Sequence, residues 1–169
     1  GHAAVEVLER AGVEVRVPAD QTCCGQPAYN AGFAADAAAM ARATIDALSR
    51  AADPVVVPSG SCADMIVHHY PALLAGDAEY RPKAAELAGR TYEFTQFLVD
   101  VLGVDPPAAQ AGPTIAYHAS CHGLRGLGLR EQPRRLLRAA AGARCVDLPD
   151  AETCCGFGGL FAVKMGPLS

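Results

Sequence analysis

The sequence has no hydrophobic run approaching the roughly 18 apolar residues that suggest a membrane-spanning helix. Its 14 lysines and arginines are scattered among 18 acidic residues, and the net charge is −4. Without a basic stripe, nucleic acid is not an expected partner. No signal peptide is visible. Seven cysteines make an odd number without the regular framework of a secreted disulfide-rich domain. These absences predict a cytoplasmic protein with reduced thiols and no transmembrane segment.

Familiar catalytic arrangements are missing as well. Neither a Ser-His-Asp arrangement nor a pair of acid/base carboxylates can be recognised in the sequence. The glycine-rich residues 123–128 follow a predicted strand, but their order does not match Gly-x-Gly-x-x-Gly and no acidic residue stands at the expected spacing. A nucleotide site is therefore not expected.

The most informative feature that is present is a repeat ending in adjacent cysteines. Residues 17–25 (VPADQTCCG) return as residues 148–156 (LPDAETCCG), at an offset of 131 residues. Neighbouring Cα atoms lie only about 3.8 Å apart, so two vicinal thiols cannot easily form a disulfide with each other. Thiolates are natural ligands for soft metals and iron–sulfur clusters, and the glycine allows a tight turn beside them. A repeated Cys-Cys-Gly therefore indicates metal binding.

The spacing of the other cysteines extends this pattern. The first Cys-Cys-Gly is followed, after 33 residues, by Ser59-Gly60-Ser61-Cys62, and Cys121 precedes the second by 32 residues. These are overlapping pieces of one motif, in which a cysteine, Cys-Cys-Gly and Cys-x-x-Cys are separated by gaps of similar length. The repeat offset puts the missing cysteines about ten residues before Gly1 and near position 193. We therefore expect an internal fragment of a longer chain that lacks ligands at both ends.

When the two copies of the repeat are aligned, six cysteines are candidate metal ligands. Two other interpretations of these cysteines stay open. They could be buried core thiols, or they could bind zinc, although zinc sites usually use Cys-x-x-Cys or histidine pairs with short loops. Cys145 corresponds to Glu14 in the other copy of the repeat, so we expect it only to pack within a strand. The candidate ligands are Cys23, Cys24, Cys62, Cys121, Cys154 and Cys155.

Several polar residues beside the cysteines are secondary candidates. Ser59 occupies a ligand position of the motif, which could mean fewer thiolates, a variant coordination or an open site, since serine oxygen suits iron–sulfur chemistry poorly. His118 and His122 flank Cys121 and could ligate iron, hydrogen-bond to sulfur or move a proton, unless they are ordinary loop residues. The pair at residues 68–69 is interpreted as solvated or helix-capping histidines.

Alternating elements predict an α/β fold of two pseudo-symmetric βαβ-type halves with mostly parallel strands. Residues 105–113, rich in proline, form the predicted linker between halves at 1–105 and 113–169. Cluster cysteines would then lie in loops just beyond strand ends, where open α/β sheets bind ligands. Helices are predicted over residues 3–11, 32–52, 62–70, 83–102 and 131–141, and strands over 13–17, 55–57, 114–118 and 145–148.

The whole visible chain resembles the cysteine-rich CCG-domain iron–sulfur proteins, a group that includes the cysteine-rich subunit of heterodisulfide reductase and the iron–sulfur subunit of glycolate oxidase. Within that group it is similar to the lactate-utilisation protein A branch. The doubled Cys-Cys-Gly carries the resemblance to the wider group. The closer resemblance rests on four stretches, which are QTCCGQPAYN at 21–30, PSGSC at 58–62, TYEFTQF at 91–97 and CCGFGG at 154–159.

This resemblance implies an iron–sulfur electron-transfer subunit of a multi-subunit oxidoreductase, with clusters of 4Fe-4S type held by the six cysteines. The complex would oxidise L-lactate to pyruvate together with a ferredoxin-like iron–sulfur protein and a third small protein. One alternative is the iron–sulfur subunit of a glycolate oxidase or a heterodisulfide reductase. A second, of a different class, is a zinc-stabilised binding module without a redox role.

Overall fold

The computed structural model describes residues 1–104, 112–140, 144–146, 148–156 and 158–169. Within these residues, helices accompany two sheets of two parallel strands each, which confirms the predicted α/β class. In chain order, with π1 to π3 denoting π-helical turns, the elements are α1 (His2–Arg10), α2 (Gln26–Asn30), α3 (Ala34–Leu48), β1 (Val55–Val57), α4 (Gly60–Asp64), π1 (Met65–His69), α5 (Tyr70–Leu73), α6 (Tyr80–Gly89), β2 (Thr91–Glu93), α7 (Phe94–Gln96), π2 (Phe97–Val101), β3 (Thr114–Ala116), π3 (His122–Gly126), α8 (Gln132–Ala140), β4 (Arg144–Val146), α9 (Gly159–Lys164) and a 3₁₀ turn (Gly166–Leu168).

The two sheets place cysteines at equivalent positions. β1 pairs with β2, Val56 lying opposite Tyr92, and β3 pairs with β4, Ile115 lying opposite Cys145. Parallel pairs need long crossovers, and both crossovers here contain helices. Cys62 lies in the helix that follows β1, and Cys121 lies where the chain turns helical after β3. Both cysteines therefore follow the carboxyl end of a parallel strand, as the sequence predicts, but they lie in helical residues and not in the expected loops.

The larger of two hydrophobic clusters lies between α3, π1, α5 and α6. Alanine at two fully buried positions of α3, Ala37 and Ala41, lets neighbouring segments approach this helix closely. Cys24 belongs to the same cluster and is only 6% exposed. One candidate ligand is therefore part of the hydrophobic core. The other buried members are Ile45, Met65, Ile66, Tyr70, Leu74, Ala84 and Leu87.

The second cluster explains why the predicted strand at residues 13–17 is wrong. Val13 and Val15 pack against buried Leu8, Phe97 and Leu98, as alternation with polar residues predicts, but Val17 is exposed. However, the segment has no strand assignment, and neither sheet includes it. A strand needs a ladder of hydrogen bonds to a neighbour, and one-sided burial alone does not supply it.

The predicted helix over residues 83–102 is also wrong, because a strand interrupts it. α6 ends at Gly89, and β2 follows before α7 and π2. Glu93 begins the new helix with a capping box: its carboxylate accepts bonds from the backbone of Thr95 (2.7 Å) and Gln96 (3.3 Å), and the Gln96 side chain accepts from the Glu93 backbone (3.4 Å). In the sequence, Tyr92, Phe94 and Phe97 have a helix-like spacing that conceals this boundary. Phe97 is buried in the structure.

The other predicted elements exist, β1 with the predicted bounds and the rest with shifted bounds. Residues 3–11 and 55–57 correspond to α1 and β1, while the helix predicted over 32–52 is α3 alone. The helix expected from residue 62 begins at Gly60 and continues through π1 and α5. The elements predicted at 114–118, 131–141 and 145–148 are β3, α8 and β4. Linker residues 105–111, and residues 141 and 147, lie outside the described residues, so the division into halves stays a prediction.

None of the helices in the described part of the chain is long and apolar enough to cross a membrane.

Replacing Glu93 with alanine tests the capping box. We expect Glu93→Ala to lower the free energy of unfolding by about 1 kcal/mol, because two backbone N–H groups at the start of α7 lose their acceptor. Urea denaturation followed by circular dichroism measures this change. The control is Glu6→Ala, which removes an exposed ion pair with Arg10 of 3.9 Å and should change stability by less than about 0.5 kcal/mol. Equal effects of both substitutions would contradict a capping role for Glu93.

Candidate functional site

Two of the six candidate cysteines meet in the structure. The sulfur atoms of Cys24 and Cys62 lie 3.2 Å apart, and both thiols are free. Gly25, with φ of +82°, turns the chain sharply after Cys24, and a side chain there would come within 3.2 Å of the α3 backbone. The hydroxyl of Tyr70 donates a bond of 2.8 Å to the backbone carbonyl of Cys24. These contacts fix Cys24 in the core facing Cys62.

The pair shares its proton unequally. The Cys24 thiol donates to the Cys62 sulfur, and this bond is the largest cause that lowers the pKa of Cys62 to about 6. Burial opposes the shift, whereas hydrogen bonds from Ser59 and Ser61 and the field of His122 support it. The same bond, together with burial, raises the pKa of Cys24. At neutral pH the pair therefore consists of one thiolate and one thiol, and the thiolate is the metal-binding form.

Ser59 has a role that the sequence did not predict. Its hydroxyl lies 3.3 Å from that of Ser61, and both hydroxyls hydrogen-bond to Cys62. Although Ser59 occupies a ligand position in the motif, in this arrangement it stabilises the thiolate of the neighbouring ligand. A hydroxyl is suited to this role, since hydrogen bonds to a charged acceptor are stronger than those between neutral groups.

The remaining candidate cysteines do not join this pair. Cys23, Cys121, Cys154 and Cys155 are exposed, and in the second Cys-Cys-Gly the Gly156 backbone N–H donates to the Cys154 sulfur at 3.5 Å. Among the described residues, no group of three or more His, Cys, Asp or Glu side chains is arranged to hold a metal ion. The full six-cysteine ligand set therefore stays a prediction. Half-buried Cys145 lies in β4.

A buried carboxylate next to the cysteine pair is the main feature that sequence analysis missed. Asp64 is 4% exposed, and three histidines contact its carboxylate. A carboxylate oxygen lies 2.8 Å from His68 Nδ1, 3.6 Å from His69 Nε2 and 2.6 Å from His122 Nδ1. Burial alone would raise the pKa of Asp64, but the hydrogen bonds and positive field of the histidines outweigh it, so the net shift is downward. Asp64 is therefore a carboxylate at neutral pH.

The structure revises the predictions for the histidines. The sequence indicates a solvated or capping pair at His68 and His69. The His68 side chain is exposed, as expected, but both histidines also contact Asp64. The π-helical turn explains this, because its i to i+5 bonding brings residue 69 over residue 64. His122 contacts Asp64 and also lies 3.3 Å from the Gln26 amide, whereas His118 is exposed. In the sequence, His122 is 58 residues from Asp64 and 96 residues from Gln26, so only the folded structure reveals these contacts.

Close contacts join the two cysteine-bearing segments. A side chain at Gly60 would come within 2.9 Å of the Ser120 hydroxyl and 3.2 Å of the Gly123 nitrogen. A side chain at Gly126 would overlap the Asp64 carboxylate. Glycine at both positions therefore lets α4, which contains Cys62, approach π3, which directly follows Cys121.

The fold and the cysteine pair define a class of cysteine-rich protein, and comparison with known proteins agrees. Residues 1–67 and 115–169, which include both Cys-Cys-Gly sequences, match the cysteine-rich domain family CCG. Lactate utilization protein A of Geobacillus thermodenitrificans is 51% identical over 169 residues, covering 100% of this chain and 70% of its own length. The Geobacillus kaustophilus protein of the same name is 50% identical with the same coverage, and lactate utilization protein A 2 of Bacillus cereus strain ZK is 46% identical over 69% of its length. The chain therefore belongs to the CCG cysteine-rich domain family and, within it, to the lactate utilization protein A family.

Replacing Ser59 with alanine tests the stabilised thiolate. Ser59→Ala should raise the pKa of Cys62 from about 6 by roughly one unit, because the thiolate loses a hydrogen-bond donor. The alkylation rate of Cys62 in metal-free protein, measured against pH by peptide mass spectrometry, gives this pKa. Ser49→Ala, at the end of α3, is the matched control and should leave the profile unchanged. An unshifted profile in Ser59→Ala would contradict the assignment.

Proposed function

We propose that this protein is an iron–sulfur electron-transfer subunit of a multi-subunit oxidoreductase that oxidises L-lactate to pyruvate. The observation that carries the proposal is the Cys24–Cys62 pair, with sulfur atoms 3.2 Å apart and one thiolate at neutral pH. Membership of the CCG cysteine-rich family supports a metal cluster. The names of the relatives support lactate as the substrate of the complex.

The chemistry of the donor set fits an iron–sulfur cluster. The paired donors are sulfur atoms, both cysteines are free, and one is already ionised. Cys24 and Cys62 would hold iron in the first half, and Cys23, Cys121, Cys154 and Cys155 would complete the ligands, as the repeated motif and the family resemblance imply. A bound cluster, proposed to be of 4Fe-4S type, supplies single-electron transfer.

The surroundings of the pair suit a redox centre. Hydrogen bonds from Ser59 and Ser61 withdraw negative charge from the Cys62 sulfur, and such bonds raise the reduction potential of a cluster. Cys24 is almost completely shielded from water, and the Tyr70 hydroxyl holds its backbone. Both features set the potential through residues of this chain.

The reaction itself requires partner proteins. Conversion of lactate to pyruvate releases two electrons and two protons, whereas a cluster of this kind passes electrons one at a time. A second redox centre must therefore take part. We propose a ferredoxin-like iron–sulfur protein and a third small protein as the other subunits of the complex.

Metal analysis of the anaerobically purified protein tests the cluster. We expect iron and acid-labile sulfide in the unsubstituted protein, and loss of most of both in Cys24→Ser and Cys62→Ser, because serine is a poor ligand for iron–sulfur chemistry. Cys145→Ser is the control and should retain both. Stoichiometric zinc without sulfide would overturn the proposal in favour of a zinc-stabilised module, and equal loss in Cys145→Ser would overturn the ligand assignment.

Reduction by substrate tests the reaction. In the complex with its partner subunits, L-lactate should bleach the visible absorbance of the clusters and give a low-temperature electron paramagnetic resonance signal. Glycolate at the same concentration should do so far less. Reduction by glycolate and not by lactate would identify a glycolate oxidase subunit, and reduction by neither would contradict the proposed oxidation of a 2-hydroxy acid.

A further inference from the structure

The distance between the Cys24 and Cys62 sulfur atoms also suits a covalent bond between them. The two sulfurs are 3.2 Å apart, and both cysteines are free. A disulfide bond is about 2.0 Å long, so the sulfurs need to approach each other by about 1.2 Å. Small rotations of the two side chains can supply a shift of this size.

The fold keeps these two sulfurs as neighbours, although 38 residues separate them in the sequence. The left-handed turn at Gly25 and the bond of 2.8 Å from the Tyr70 hydroxyl to the Cys24 carbonyl fix the first cysteine. Cys62 packs against the same hydrophobic cluster that contains Cys24, and Ala63, which follows it, is fully buried. The pairing is therefore a property of the packed core and not of a single loop.

The two sulfurs differ in their access to solvent. Cys24 is 6% exposed, whereas Cys62 is half-buried, so a small oxidant reaches Cys62 more readily. Cys23 is exposed and adjacent to Cys24 in the sequence, but neighbouring residues do not easily form a disulfide with each other. Cys24 is therefore placed to react with an oxidised Cys62.

We infer that Cys24 and Cys62 form a reversible oxidation site, which hydrogen peroxide converts into a disulfide when the site holds no metal. The Cys62 sulfur attacks a peroxide oxygen and the O–O bond breaks, which gives a sulfenic acid and one water. The Cys24 sulfur then attacks the Cys62 sulfur, and the S–O bond breaks with release of a second water. The two sulfurs lose two electrons in total, and the peroxide gains them. This electron balance does not depend on which sulfur carries a hydrogen.

The disulfide would regulate the proposed metal site. Neither sulfur remains a free donor once the bond has formed, so metal loading would stop. A thiol reductant would reopen the site by thiol–disulfide exchange. Formation of the bond would also protect Cys62 from further oxidation to the sulfinic acid, which is not readily reversed. The effect on loading rests on the proposed function, whereas formation of the bond does not.

Peptide mass spectrometry of the metal-free full chain tests the inference. The protein is stripped of metal with a chelator under anaerobic conditions, and circular dichroism verifies that it stays folded. It is then treated with one equivalent of hydrogen peroxide, alkylated and digested with trypsin without reduction. We expect the peptide of residues 17–42, which contains Cys23 and Cys24, to be joined to that of residues 51–83, which contains Cys62, in most molecules. Dithiothreitol should separate the two peptides.

Three serine variants identify the partner of Cys62. Cys23→Ser and Cys145→Ser should keep the joined peptides, and Cys24→Ser should lose them. Loss of the joined peptides in folded Cys23→Ser would overturn the inference, and this result does not require a change in the core. A Cys23–Cys24 disulfide, or a Cys62 that reaches sulfenic or sulfinic acid without joining, would overturn it as well.

Iron and sulfide analysis separates failure of this inference from failure of the proposed function. Joined peptides in a protein that never takes up iron and sulfide would support the oxidation site and contradict the iron–sulfur proposal. An iron–sulfur protein whose metal-free form gives no joined peptides would show the opposite. After oxidation, we expect little iron to be incorporated until dithiothreitol is added. Full incorporation into the disulfide-bonded protein would overturn the regulation of loading.

Discussion

The buried carboxylate of Asp64 is the constraint on which the arrangement of the site depends. Burying a charge is costly unless it is paired and hydrogen-bonded, and Asp64 is 4% exposed. Its partners come from two directions: His68 and His69 from its own helix, and His122 from the second half of the repeat. Removing the contact with His122 would leave the charge undercompensated. The pairing therefore stabilises the approach of α4 to π3, and with it the relative positions of Cys62 and Cys121.

The same histidine links this charged cluster to the thiol pair. His122 hydrogen-bonds to Asp64 and also contributes to the depressed pKa of Cys62. The serine hydroxyls and the Cys24 thiol hydrogen-bond to the same sulfur. Two kinds of hydrogen-bond donor and the field of His122 thus act on a single sulfur atom, and these groups come from three segments of the chain. The thiolate depends on the tertiary fold more than on its own loop.

Sequence analysis found the elements whose signal is local or repeated. The cysteine repeat predicted that Cys24 and Cys62 share a site, and their sulfur atoms do meet, while the strand-like run Val55–Val57 predicted β1. It failed where tertiary contacts decide: residues 13–17 alternate like a strand but join neither sheet of the described residues, and the helical spacing of the aromatic residues up to Phe97 concealed β2. Asp64 and Gln26 were missed for the same reason, since a single acid or amide beside a cysteine has no distinctive pattern. Their function exists only after distant segments meet.

The unequal proton sharing of the pair has a consequence for metal loading. A thiol must lose its proton to become a ligand, so a metal competes with protons at each cysteine. Cys62 has mostly lost its proton at neutral pH, because its pKa is about 6. At Cys24 the raised pKa keeps the proton in place until a cation replaces it as the partner of the sulfur. In the proposed metal site, Cys62 would therefore be the first point of attachment. Cys24, held in the core by the Tyr70 hydrogen bond, would follow with release of one proton, which couples loading of the site to the core around it.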